Sequence, residues 1–287
     1  MNIRRKIEAN ATDFTPSERK LAAVLLSDYP YAGLIKMQEL AARAEVSQPS
    51  ISRFVIKIGL SGFPELQKHL VSELREGSRS PVDIHATSER IEGGYLNGFL
   101  ARAAAQMASA GKAVTESQFE QICRLIADPK RSIFTVGGRI SDTIAQHLSF
   151  HLQQSREAVY HLPRDPEVWP EYFLRMKSGD VLFLFDFRRY QQNLWQLAKQ
   201  AQAQKVQVLL MTDNWLSPAT RHASEVLVVP IETGTIWDSY SPALALTEAL
   251  VTRVAEKTWN ETRARIEAWD DMRDGFMERK NDQAIDY

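Results

Sequence analysis

The run "VSQPSISRFVIKI" (46–58) sets serines, a glutamine, a proline and an arginine at the head of an otherwise apolar helical segment. Ser47 has the type and place of a helix N-cap. Before it, a short helix from Met37 to Ala44 and a tight turn at Glu45 and Val46 complete the length and spacing of a helix-turn-helix. In that arrangement the second helix points its first residues at base edges in the major groove of DNA. Gln48, Pro49, Ser50, Ser52 and Arg53 are short or planar enough for close approach. Arg53 suits a guanine or a phosphate, Gln48 suits an adenine, and Ser50 with the helix N-terminus suits the backbone. Ile51, Phe54, Val55 and Ile58 supply the inward face. The same pattern also fits a solvated face on a small helical bundle. Elsewhere, His147 and His151 have a spacing that can hold a metal, but "HLSFH" lacks the glutamate of a zinc-protease helix and a third ligand. A helix surface or a contact between subunits is the better account of the pair, and no metal or other cofactor is expected.

Elements that could position the opening helix surround it. In residues 1–76, which read as all helix, Thr15, Pro16 and Glu18 form a capping box with proline at the first helical position. Leu21, Val24 and Leu25 follow at helical spacing. These residues carry 11 Lys and Arg against 9 Asp and Glu, a mild excess that permits nucleic-acid binding without demanding it. The polar stretch "REGSRSPVDIHATSE", with its Gly, Ser and Pro, reads as a linker over 77–88. A second domain is expected over 89–268. It begins with a helical stretch from about Glu89 to Gly111. Short apolar runs then follow at 132–136, 158–162, 180–187, 206–212 and 225–230, separated by amphipathic segments. That alternation predicts βαβ units and a five-stranded parallel sheet with helices on both faces. "SPALALTEALVTRVAEKTWNETRARIEAW" reads as one long closing helix, and 269–287 as a charged, frayed tail.

The chain of 287 residues is 44% hydrophobic and 25% charged, ordinary for a folded globular protein. Its lone cysteine, Cys123, sits at an apolar helical position and reads as a buried structural thiol. Met1 to Phe14 has no apolar core of signal-peptide type, and no apolar run is long enough to span a bilayer. A cytoplasmic protein with no membrane contact is expected.

"VSQPSISRFVIKIGLSGFPELQKHL" resembles the signature of the RpiR/MurR family of bacterial transcriptional regulators. Arg53, Phe54, Lys57, Gly59, Leu60, Gly62, Phe63, Glu65 and Leu66 carry the resemblance. It implies an all-α helix-turn-helix domain over 1–76, with Ser47 and Lys57 joining the residues named above on the DNA-contacting face. It also implies a C-terminal α/β sugar isomerase (SIS) domain, flavodoxin-like, which the strand pattern fits.

The SIS resemblance implies an effector site at the carboxyl edge of the strands. The family's first ligand motif falls on "FTVGGRISDT". There Gly137 and Gly138 let the backbone approach an anion, and Ser141 with the next helix N-terminus offers donors. Arg139 stands where the family usually has a second glycine. The family's S-x-S-G-x-T motif is replaced by "DFRRYQ", which sets Asp186, Arg188, Arg189 and Gln191 where the hydroxyls belong. The two arginines can substitute charge-assisted contacts to phosphate or carboxylate, or one of them can pair with Asp186 in a structural network. "MTDNWLSP" matches the family's T-D-x-x-x-S-P with Thr212, Asp213, Ser217 and Pro218. The loop "ETGTIWDSYS" could close over a ligand with Thr235, Trp237 and Tyr240, or pack between subunits. Glu248 resembles in position an acid/base residue of SIS isomerases, which His161 or His222 could assist; with the phosphate hydroxyls missing, it reads as structural.

The expected protein is a non-enzymatic, DNA-binding regulator, by default a repressor of carbohydrate metabolism genes. Its SIS domain would sense a phosphorylated sugar, sugar acid or similar small anion, and a homodimer or tetramer would bind a two-fold symmetric operator. The alternatives are a sugar-phosphate isomerase with an accessory helical domain, and a regulator whose SIS domain only dimerises.

Overall fold

A computed structural model describes residues 3–282, with side chains described from 3 to 276. The N-terminal unit is helical: α1 (Ile3–Ala9), α2 (Pro16–Ser27), α3 (Met37–Arg43), α4 (Gln48–Lys57) and α5 (Phe63–Ser78). The expected capping box opens α2, with Thr15 accepting from the Glu18 backbone and the Glu18 carboxylate accepting from the Thr15 backbone. Ser47 caps α4 by accepting from the Ser50 N–H, a contact worth about 1 kcal/mol in general. Between α3 and α4, Glu45 takes a positive φ of 52°, which sets the tight turn. One core of Leu21, Leu25, Leu40, Ile51, Phe54, Val55, Phe63, Leu66 and Leu70 closes the unit.

The stretch expected as a linker is largely ordered helix. α5 runs through Ser78, and α6 (Pro81–Ala86) follows with its own capping box, Ser80 with Asp83. Gly and Ser there do not interrupt the chain, because Gly77 is a buried helical residue packed on the Tyr190 ring. The next helix, α7 (Tyr95–Ala113), begins six residues later than expected.

After α8 (Glu116–Ala127) the chain alternates: β1 (Ile133–Gly137), α9 (Asp142–Ser155), β2 (Val159–His161), α10 (Trp169–Phe173), β3 (Val181–Phe185), α11 (Gln192–Ala203), β4 (Gln207–Thr212) and β5 (Glu225–Val228). All five strands are parallel, in the order β2-β1-β3-β4-β5. That is the flavodoxin-like doubly wound order. Alternate β3 residues feed two cores: Phe183 and Phe185 meet α8 and α9, while Leu182 and Leu184 meet α11. Hence β3 is apolar throughout, as a strand covered on both faces must be. Cys123 is buried in the first of these cores.

The single closing helix expected from the sequence is two, α12 (Ser241–Lys257) and α13 (Trp259–Asp282), broken at Thr258. Most of the stretch expected to fray is therefore helical, and residues 283–287 lie outside those described. Two contacts dock the first turns of α13 on the end of α9: Thr262 Oγ1 donates to the Ser155 carbonyl and Arg265 Nε to the Gln153 carbonyl. No described helix is long and apolar enough to cross a membrane.

The two units share packing. Leu216, in the turn after β4, is 3% exposed and belongs to the core of the N-terminal helices, against which Val226 and Val228 of the edge strand β5 also pack. Arg221 pairs with Asp28 at 2.6 Å and lies 4.0 Å above the Tyr31 ring.

Candidate functional site

The helix-turn-helix presents a polar face. Ser47, Gln48, Pro49 and Arg53 are exposed and Ser50 and Ser52 half-buried, while Ile51, Phe54, Val55 and Ile58 point inward. The hydroxyls of Ser47 and Ser50 lie 2.9 Å apart, and the Ser50 hydroxyl accepts from Arg53 Nη2 at 3.1 Å. This chain holds the guanidinium over the first turn of α4. Lys57 plays a different part from the one expected: its ammonium donates to Glu18 at 2.8 Å and to the Asp13 carbonyl at 2.6 Å. It ties the end of α4 to the start of α2 and so aims the helix. The sequence reading passed over Ile56, which is 61% exposed one turn beyond Ser52 and Arg53, where an apolar side chain can meet a thymine methyl.

At the other site, the turns after β1 and β3 meet where the strand order reverses, the switch point of a doubly wound sheet. They bound a cavity of about 300 Å³ with Gly138, Arg139, Ser141, Asp186, Phe187, Arg188, Arg189 and Gln191 in its wall. Ile236, Trp237, Asp238 and Tyr240 of the 232–241 loop close one side, and Arg79, Pro81 and Ile84 close another. Of the residues expected from sequence, Gly137, Thr212, Asp213, Ser217, Pro218 and Thr235 are not in this wall. Gly137 is needed because a Cβ there would meet the Asp142 backbone N at 2.4 Å.

Several expected ligand donors are occupied internally. The Ser141 hydroxyl accepts from the Gly138 N–H at 2.9 Å and donates to the Phe185 carbonyl at 2.6 Å, bracing β1 against β3. Ser217 donates to Asp186 and, as an N-cap, accepts from the Ala219 N–H. Asp186 pairs with neither arginine. Its partners are Ser217 and the Gln191 N–H, and burial without a cation pushes its carboxyl up to about 7.

Arg188, expected as an arm for the ligand, turns inward. Its Nη2 meets Asp238 at 2.9 Å and Glu232 at 3.3 Å, its Nη1 donates to the Glu76 carbonyl at 3.4 Å, and its guanidinium stacks on Trp215 at 4.0 Å. The buried Nε has no hydrogen-bond partner among the described residues. Burial raises the carboxyls of both Glu232 and Asp238, which Arg188 opposes. Beneath, Asp213 accepts from the Arg188 N–H and the Tyr190 hydroxyl, each at 2.6 Å. Arg139 and Arg189, by contrast, are exposed and carry no ion pair among the described residues.

The sequence reading missed Asp238 and Arg79. Asp238 sits inside the loop already singled out, between Trp237 and Tyr240. Arg79 was hidden by the reading of its segment as linker, although the Ser80–Asp83 capping box was a signal that it is ordered. Glu248 is outside the cavity, exposed, 3.9 Å from His147. His147 and His151 stack edge to face at 4.5 Å, and no metal-ligating cluster occurs among the described residues.

A helix-turn-helix head on a flavodoxin-like SIS-type domain defines the class, a two-domain transcriptional regulator. Two family models divide the chain: the helix-turn-helix domain of the rpiR family matches residues 1–77, and the SIS domain matches 125–253. The chain belongs to the RpiR family of transcriptional regulators. Among curated relatives, the regulator HexR of Pseudomonas aeruginosa is 25% identical over 245 residues, covering 84% of this chain and 82% of its own. HexR of Escherichia coli K12 is 23% identical over 258 residues, covering 90% and 85%. The fold is shared with the sugar isomerase domain of an RpiR transcription factor from Sphaerobacter thermophilus (TM-score 0.57, 16% identity, 61% of this chain and 97% of that one). It is also shared with the NanR protein of Vibrio vulnificus, solved with ManNAc-6P (TM-score 0.53, 16% identity, 94% and 97%).

Proposed function

We propose that the protein is a repressor of carbohydrate metabolism genes in the cytoplasm, acting as a homodimer or tetramer on a two-fold symmetric operator and responding to a phosphorylated sugar or sugar acid. The observation that carries the effector reading is the pair of unpaired arginines, Arg139 and Arg189, at the mouth of the switch-point cavity. They take the anionic group. Gln191 offers an amide to sugar hydroxyls, and the exposed indole of Trp237 offers a ring face. The volume is at the small end of ligand sites, which suits one sugar unit. The ManNAc-6P held by the Vibrio NanR protein is a ligand of this class. On the DNA side, one short helix reads too few bases alone, so two copies of α4 address two half-sites.

A thermal-shift screen against sugar phosphates and sugar acids tests this, because a ligand that binds only the folded state raises the melting temperature. The expected result is a hit that Arg139→Gln or Arg189→Gln removes. No shift across the panel would instead favour a domain that only dimerises.

A further inference from the structure

Arg79 follows α5, the last helix of the N-terminal unit, in the stretch that joins that unit to the SIS domain, and it lines the SIS cavity together with Pro81 and Ile84 of α6. Its side chain is mostly buried. Nη1 meets Glu76 at 3.0 Å, and Nη2 donates to the Asp83 carbonyl and the Thr87 hydroxyl. These contacts fix the guanidinium in the wall without neutralising it fully, since Glu76 is a partly exposed neighbour one helical turn back.

The end of α5 is pinned to the same cavity from a second side. The Glu76 carbonyl accepts from Arg188, and a Cβ on Gly77 would come within 3.0 Å of the Tyr190 ring. Tyr190 and Arg188 are both held by Asp213. Arg188 also brings a buried Nε with no hydrogen-bond partner among the described residues. The cavity therefore has cations on two walls, Arg139 and Arg189 from the SIS turns and Arg79 from the residue that follows α5.

We infer that Arg79 is a direct ligand of the effector anion, so that the site is completed only when the end of α5 is docked on the SIS domain. The inference rests on the effector reading given above and deepens it. An anion spanning Arg79 and the SIS arginines exchanges for the Glu76 carboxylate and loads the junction through which α5 carries the helix-turn-helix. By linkage, any operator geometry that moves the end of α5 changes anion affinity by the same factor that the anion changes operator affinity.

The test uses the full chain with inorganic phosphate as the probe, titrated against chloride at matched ionic strength, with melting temperature as the readout. Wild type is compared with Arg79→Gln, Arg79→Lys and Arg139→Gln. The expected result is that Arg79→Gln weakens the phosphate response roughly tenfold, as loss of a charge-assisted contact does, and that Arg79→Lys restores part of it. If wild type shows no phosphate response, the anion site itself falls and this inference with it. A response lost in Arg139→Gln but intact in Arg79→Gln leaves the anion site standing and overturns the role of Arg79. A response lost in Arg79→Gln that Arg79→Lys fails to restore, with a lowered melting temperature in chloride for both, assigns Arg79 to structure alone and also overturns it.

Discussion

Asp186 gives the sharpest test of the site's electrostatics. It is 1% exposed, accepts hydrogen bonds from Ser217 and Gln191, and has no cation beside it, so burial lifts its carboxyl from 3.8 to about 7. A folded-state value above the unfolded one means that this group's contribution is fully present below the unfolded value and is lost as pH rises to about 7. At 1.36 kcal/mol per unit the full loss is about 4 kcal/mol, of which about 2–3 kcal/mol falls between pH 5 and pH 8. Asp186→Asn removes the titration. It also turns an NH₂ towards one of two donors, a penalty of about 1–3 kcal/mol that does not depend on pH. Urea unfolding of both proteins, followed by tryptophan fluorescence at pH 5 and pH 8, separates the two effects. The stability of the variant relative to wild type should rise by about 2–3 kcal/mol from the lower to the higher pH, whatever its offset, since every other titrating group is common to both. A difference that stays constant across that interval would refute the claim that Asp186 is a buried group titrating near neutrality.

Arg53→Ala should weaken operator binding by about 1–3 kcal/mol in fluorescence anisotropy while leaving the melting temperature within a degree or two, because its only described partner is the Ser50 hydroxyl. Arg188→Ala should destabilise the fold by about 3–5 kcal/mol in urea unfolding, since it leaves Glu232 and Asp238 together without their cation, and lowering the pH should recover part of the loss as those raised carboxyls protonate. Leu216→Ala should cost about 2–4 kcal/mol and split the calorimetric transition into two, the helical unit melting first. A single, unshifted transition would show that the two units do not lean on this residue.

Much of the architecture could be read from the chain because local chemistry carries it. The all-apolar "VLFLF" could only be a strand covered on both faces, and Thr15, Glu18 and Ser47 cap their helices as their types require. The helix-turn-helix face was legible for the same reason: its inward residues recur at helical spacing. The cavity was legible in outline, since strand-to-helix turns of a parallel sheet gather at one edge. Side-chain commitments inside it were not. Nothing in "DFRRYQ" says which arginine turns in, because that is decided by Trp215, Glu232 and Asp238, residues 27 to 50 positions away. The partners of Lys57 were hidden for a similar reason, Asp13 and Glu18 lying just before and at the start of α2, about 40 positions away in sequence. Composition hid the helical character of the joining stretch: Gly77, Ser78, Ser80 and Pro81 look like breakers, but Ser80, Pro81 and Asp83 are a helix start.

Leu216 sits at a positive φ of 63°, in a turn whose next residue, Ser217, holds Asp186 of the cavity wall, and its side chain completes the hydrophobic interior of the other unit. The boundary between reading head and sensor is thus not a seam along which parts can be exchanged freely. A chimera that takes its helix-turn-helix from a relative must bring a socket for this leucine, and a relative with a different residue there must have changed both faces together. Drift in DNA specificity through α4 is unconstrained by that socket, whereas replacement of the whole head is not.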